Sequence, residues 1–243
     1  MADATTTEDA TTTEEAQAEA PEVDEARQAV LATLSDALGD AVVGSHVAVG
    51  RNLWVRVTRD AWFAAAEAAK QRLGLHFFEF LSAIDWMPSP WGRYEYSAVD
   101  VGIPQVDPTA PIETGVAGGD TRFQMLCRLA SVRGRHHEPH LNVTLKADLP
   151  DDDLRIASLV PLYAGANWHE RECWEMFGVT FDGHPGLRHL YLPGEFEGHP
   201  LRKDYPLLAR LVKPWPGIVD VEPMPGGDEA EPAEGEAEEG GDT

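Results

Sequence analysis

The sequence predicts an α+β fold: a mostly antiparallel sheet with two or three helices, followed by an extended Pro/Gly-rich C-terminal arm. Three observations carry this expectation. Several short runs alternate apolar with polar residues, the period-two pattern of half-buried strands. Two stretches, Val23–Leu38 and Ala61–Leu73, repeat apolar residues at helical spacing. Beyond Asn167, Pro185, Pro193, Pro200, Pro206, Pro214 and Pro216 forbid long regular elements.

Taken in order, Val30, Leu31, Leu34 and Leu38 form the apolar stripe of the first helix, which Gly39 stops. Leu53, Val55 and Val57 alternate with Trp54 and Arg56 as a strand. Asp60 is placed to cap the Ala-rich second helix, and Gly74 stands at its end. Four further strands are expected: Phe77–Trp86, the alternating run around Tyr94, Tyr96 and Ala98, the run Phe123–Leu129, and Leu141–Leu145. In the last two, Gln124, Arg128, Asn142, Thr144 and Lys146 fall on the second face. That face is therefore expected to be wet, or contacted by another protein. Gly102–Asp120 reads as a Pro/Gly loop and Asp151–Val160 as a short helix. Trp168–Phe177 is expected to be helical and to end at Gly178.

Of the 243 residues, 42 are Asp or Glu and 19 are Lys or Arg. The excess is concentrated at the ends, since residues 1–26 and 217–243 contain acids and no base. The domain plan is a disordered acidic tail at 1–26, an α+β domain at 27–166, a helix and partner-binding arm at 167–216, and a second acidic tail at 217–243. A nearly neutral folded part without a basic stripe excludes nucleic-acid binding. No apolar stretch is long enough for a bilayer, so direct membrane insertion is not expected, and the N-terminus lacks a secretory pattern. Two cysteines, Cys127 and Cys173, are too few for a disulfide framework or a four-thiolate cluster.

Four constellations bear on chemistry. His169-Glu170-Arg171-Glu172-Cys173 starts like a zinc-hydrolase helix, but Cys173 stands where the second imidazole belongs. A metal-dependent hydrolase using His169, Glu170 and Cys173 is the outlying alternative. His136-His137-Glu138-Pro139-His140 packs three imidazoles into one turn, yet no downstream motif completes a coordination sphere. Glu170, Arg171, Glu172 and Glu175 form a charged ladder with Arg171 and Glu175 four residues apart. Trp168, Trp174 and Phe177 interleave with it, which fits a protein interface. Finally, Gly198–Pro206 pairs Arg202 with Lys203 but offers no phosphate loop, and no dinucleotide fingerprint occurs anywhere.

The block Trp168-His169-Glu170-Arg171-Glu172, Glu175-Met176-Phe177-Gly178, Gly183-His184-Pro185, Leu187-Arg188 and Glu197–Leu207 resembles the 30 kDa subunit family of respiratory complex I, NADH–quinone oxidoreductase. Membrane-bound hydrogenases contain a related domain. Two departures stand out: Glu175 where the family commonly has Asp, and His189 where it has a second Arg. The resemblance implies a peripheral-arm subunit of an enzyme that passes electrons from NADH to quinone. It implies no catalytic, cofactor-binding or metal-binding residue on this chain, with FMN and iron–sulfur clusters held by partner subunits. Those partners would be the quinone-site subunit, the terminal iron–sulfur cluster subunit and other peripheral-arm subunits, at the cytoplasmic face of the bacterial cell membrane. The residues matching the signature are Glu170, Arg171, Glu172, Glu175, His184, Arg188, His199, Arg202, Lys203 and Asp204. They are expected to fix the arm and its partner through charge-assisted hydrogen bonds.

Overall fold

The computed structural model describes residues 23–88, 107, 110–132 and 140–205. The run around Tyr94, most of the His136–His140 turn, both acidic tails and the arm from Pro206 onward lie outside the described residues. Helix α1 (Glu25–Leu38) opens on Asp24, whose carboxylate accepts from the Arg27 backbone N–H at 3.0 Å. The same carboxylate also accepts from Gly50 N–H. Asp24, Glu25 and Ala26, grouped by composition with the acidic tail, therefore belong to the helix start.

Five strands make the main sheet: β1 (Val42–Ala48), β2 (Asn52–Val57), β3 (Phe77–Asp85), β4 (Phe123–Ala130) and β5 (Asn142–Leu149), in the order β1-β2-β5-β4-β3. Every pairing is antiparallel except β2 with β5. The strand β1 is not expected from the pattern, because Gly44, Ser45 and His46 break its alternation and a register shift bends it at Val42/Gly44.

One face of the sheet carries the core. Leu53, Val55, Met125, Cys127, Val143 and Leu145 are fully buried against α1 and α2 (Trp62–Gln71). The alanines Ala65, Ala66 and Ala69 let α2 lie close to the strands. Asp60 does not cap this helix. A 3-10 turn, Arg59–Ala61, precedes it and moves the start to Trp62, with Ala61 at the cap position.

Two further expectations need correction. Asp151–Val160 is not helical. Arg155–Ala157 forms β6, which pairs in parallel with β7 (Thr180–Asp182), a partner that no local pattern reveals. The second sheet face is not simply wet either. Residues 112–121 cross it as a strap, and Gln124, Thr144 and Lys146 are buried beneath or beside it. The Lys146 ammonium donates to the carbonyls of Val116 and Gly118, each at 2.9 Å, and lies over the Trp86 ring. Burial holds its pKa below the ordinary lysine value. Gln124 bridges the Trp86 indole N–H (2.6 Å), the Gly118 carbonyl and the Asp148 carboxylate. Arg56 ties Asp148 to Asp120 in the strap. A Cβ on Gly44 would stand 2.6 Å from the Ala117 carbonyl oxygen, so glycine is what allows the strap to approach.

Replacing Lys146 with Met removes both hydrogen bonds, leaving the Val116 carbonyl without a partner and the Gly118 carbonyl with Gln124 alone. The expected result is a loss of about 1–3 kcal/mol in urea unfolding, with faster amide hydrogen exchange confined to residues 114–119.

Candidate functional site: the signature helix and its arm

Helix α3 (Ala166–Phe177) runs along the outer edge of β3. Three residue types at helical spacing give it three different faces. Glu170, Cys173 and Phe177 point to the core, and Arg171 and Glu175 point to the following chain. Trp168 and Glu172, one turn apart, are left on a third face.

On the core face, the His169 ring binds the Leu81 carbonyl of the edge strand at 3.1 Å and meets the Phe78 ring edge-on. One carbonyl of the edge strand is thereby given a partner from the helix. Glu170 is completely buried and accepts from Ser158 Oγ and Leu159 N–H, both at 2.6 Å. Burial raises its carboxyl to about 7, and those two donors only partly oppose the rise. Burial likewise raises the Cys173 thiol to about 12 and pushes Cys127 upward. His169, Glu170 and Cys173 thus have separate partners and form no open metal site. Among the described residues no group of three or more His, Cys, Asp and Glu is placed to hold a metal ion.

The arm face works differently. Arg171 and Glu175 do not pair with each other; both grip the backbone of residues 188–192. Arg171 donates to the carbonyls of Arg188 (3.0 Å) and His189 (2.8 Å). The Glu175 carboxylate accepts from the N–H groups of Leu190 (2.9 Å), Tyr191 (3.0 Å) and Leu192 (2.6 Å) and from the His189 ring (3.0 Å). Burial alone would raise its carboxyl, but these four donors override that and hold it down at about 2. The pair Glu175–His189, a departure from the family pattern, is therefore made in this chain, with the His189 ring also against Trp174.

The helix end supplies a second grip. Its last carbonyls have no intrahelical donor. The His199 ring binds the Glu175 carbonyl at 2.8 Å, Leu201 N–H binds that of Met176 at 3.1 Å, and Arg202 Nε that of Phe177 at 2.6 Å. The Arg202 cation sits at the negative end of the helix dipole, where it is favoured. Gly178 is required twice: its φ of 78° is left-handed, and a Cβ there would collide with the His199 and Arg202 side chains.

Past this cap the chain meets a buried acid that the sequence pattern does not single out. Asp85 accepts a two-point pair from Arg122 (2.8 and 2.7 Å) and the Lys203 backbone N–H at 2.8 Å. Burial opposes its ionisation, but Arg122 and these N–H donors hold it below its ordinary value. Arg122 also reaches Asp204 at 3.1 Å. The only sequence signal for Asp85 is an acid ending an apolar strand. His184 accepts from Gly186 N–H and faces the Asn167 carbonyl. Glu172, Arg188 and Lys203 use no side-chain hydrogen bond or ion pair among the described residues.

Two opposite pH dependences follow from one helix. Glu170 holds a proton to about 7 when folded but only to about 4.5 when unfolded, so stability declines as pH rises across that window. Glu170→Gln is expected to flatten a decline of about 2–3 kcal/mol, read as urea midpoints between pH 4.5 and 8. Glu175 is ionised in the fold far below its ordinary value, so its contribution is complete above pH 4.5 and fades as pH falls toward 2. Glu175→Gln should cost about 2–4 kcal/mol at pH 7 and weaken the acid-induced loss seen in the parent chain.

Residues 55–210 match the family described as respiratory-chain NADH dehydrogenase, 30 Kd subunit. The C/D subunit of NADH-quinone oxidoreductase from Klebsiella pneumoniae subsp. pneumoniae is 51% identical over 74 residues, 30% of this chain and 12% of that protein. The corresponding C/D protein from Yersinia pestis is 43% identical over 96 residues, 40% of this chain and 15% of that protein. The chain thus aligns with only a small part of these relatives. In fold it is similar to a chain of the membrane-bound sulfane sulfur reductase, an archaeal respiratory membrane complex. The TM-score is 0.52 at 18% identity, over 76% of this chain and 88% of that one. The family match covers well over half of the sequence and takes in β3, β4, β5, α3 and the gripped arm: the chain belongs to the respiratory-chain NADH dehydrogenase 30 kDa subunit family.

Proposed function

We propose that this chain is a cofactor-free structural subunit in the peripheral arm of a proton-translocating NADH–quinone oxidoreductase, where it assembles and stabilises the quinone module. Electrons in such an enzyme pass from NADH through FMN and iron–sulfur clusters on other subunits to quinone. This chain's part is to present a surface of fixed shape to the quinone-site subunit and the terminal iron–sulfur cluster subunit, at the cytoplasmic face of the cell membrane. None of its described helices is long and apolar enough to cross a membrane, so attachment would be through those partners.

One observation carries the reading. Four of the signature residues that could have lined a reaction site are directed at backbone groups: Arg171 and Glu175 at residues 188–192, His199 and Arg202 at the end of α3. Side chains used this way set the shape of a surface and are not free to exchange protons with a substrate. A corresponding place in a membrane-bound hydrogenase-type complex is the rival reading. Neighbouring genes for NADH- and flavin-binding subunits favour respiration, and a hydrogenase maturation set favours the rival.

Deleting Gly198–Pro206 removes the cap on α3 and the Lys203–Asp85 contact together. The expected outcome is loss of the chain from the isolated complex and a fall of at least about tenfold in membrane NADH:quinone reductase activity. An intact, fully active complex would refute the assembly role of this segment.

A further inference from the structure

The third face of α3 is unexplained by the contacts within the chain. Trp168 is 68% exposed, the largest share among the exposed bulky apolar side chains of the described residues. Glu172, one turn on, is half-buried and meets no cation among the described residues. At the far end of the helix Leu201, half exposed, donates its backbone N–H to the Met176 carbonyl. Both other faces of the helix are covered, so the stripe is held rigid from behind by Glu170 below and by the gripped arm beside it.

From this we infer that the Trp168–Glu172 stripe of α3 is the docking face for a different polypeptide, one that offers an apolar recess for the indole and an arginine or lysine for Glu172. The inference rests on the assembly role proposed above and names the chemistry of the partner at that surface. Two physical points select the occupant. An exposed Trp on a rigid element is the residue type that most often anchors an interface, because it buries a large area at little entropic cost. Covering Glu172 with an apolar partner would strand a charge away from water, which is strongly unfavourable, so the partner must bring a cation. A second copy of this chain meeting stripe to stripe about a two-fold axis sets Glu172 against Glu172 if that residue lies on the axis and against Trp168 if it does not; either way the stripe brings no cation and fails the same requirement.

The test uses the full chain in its native membrane complex, with the photo-reactive amino acid benzoylphenylalanine at position 168. The expected adduct joins a different polypeptide at an apolar stretch bearing Arg or Lys. Trp168→Ala and Glu172→Arg, each in the complete chain, should lower its retention through purification of the complex at least about tenfold, while the thermal midpoint of the isolated chain stays within about 2 °C of the parent. An adduct with a second copy, or with residues 206–243 of the same chain, overturns the inference. So does retention of both variants at the parent level. If the parent chain itself is absent from the complex, the assembly role falls. If parent and variants are all retained, the role stands and only this face is wrong.

Discussion

The end of a helix is the constraint from which the C-terminal half of this molecule follows. Helix α3 is pressed against the sheet edge, and the carbonyls of Glu175, Met176 and Phe177 would be left without donors close to a buried phenylalanine. The arm after Gly178 exists to answer them. His199, Leu201 and Arg202 return to the same three carbonyls, while Arg171 and Glu175 hold the intervening chain by carbonyl and amide groups alike. Without that reciprocity a segment so rich in proline and glycine has no regular hydrogen bonding of its own to fix it.

Two glutamates on this helix show how little residue type says about charge. Glu170 lies in the core with two donors and no cation, so its neutral form is favoured. Glu175 meets four donors converging on one carboxylate, so its ion is favoured in spite of burial. The first anchors the chain before the helix at Ser158 and Leu159, the second the chain after it. The helix is pinned from both sides in sequence by acids of opposite tendency.

The elements legible in the sequence are those whose cause is local. Alternation in Leu53–Val57 and Phe123–Leu129, helical spacing in Val30–Leu38, and a glycine stop at 178 all act within a turn or two, and each marks an element found in the fold. What the pattern hides has a distant cause. Arg155–Ala157 is a strand because Thr180–Asp182 lies beside it. The polar face of β4 and β5 is covered because the strap's carbonyls find Lys146. The same holds for the site: residue types at 170–175 and 198–204 mark it, but a four-residue spacing cannot show that Arg171 and Glu175 bypass each other for backbone groups. Asp85, which ends β3, and Arg122, which immediately precedes β4, fasten the arm at Lys203 and Asp204 and are brought together only when those two strands pair.

The parallel pairing of β6 with β7 closes a short ring of chain around α3, with Arg155 beside Thr180. The main sheet must wait much longer during synthesis, since its parallel pair joins Leu53 to Val143. Low sequence separation favours rapid closure. The ring and its enclosed helix can therefore assemble as soon as they clear the ribosome, and they would meet a sheet whose last strand emerged only moments before. Strand order and helix grip are in this sense decoupled in time: the portion of the molecule richest in signature residues is made after the sheet and is among the quickest to close.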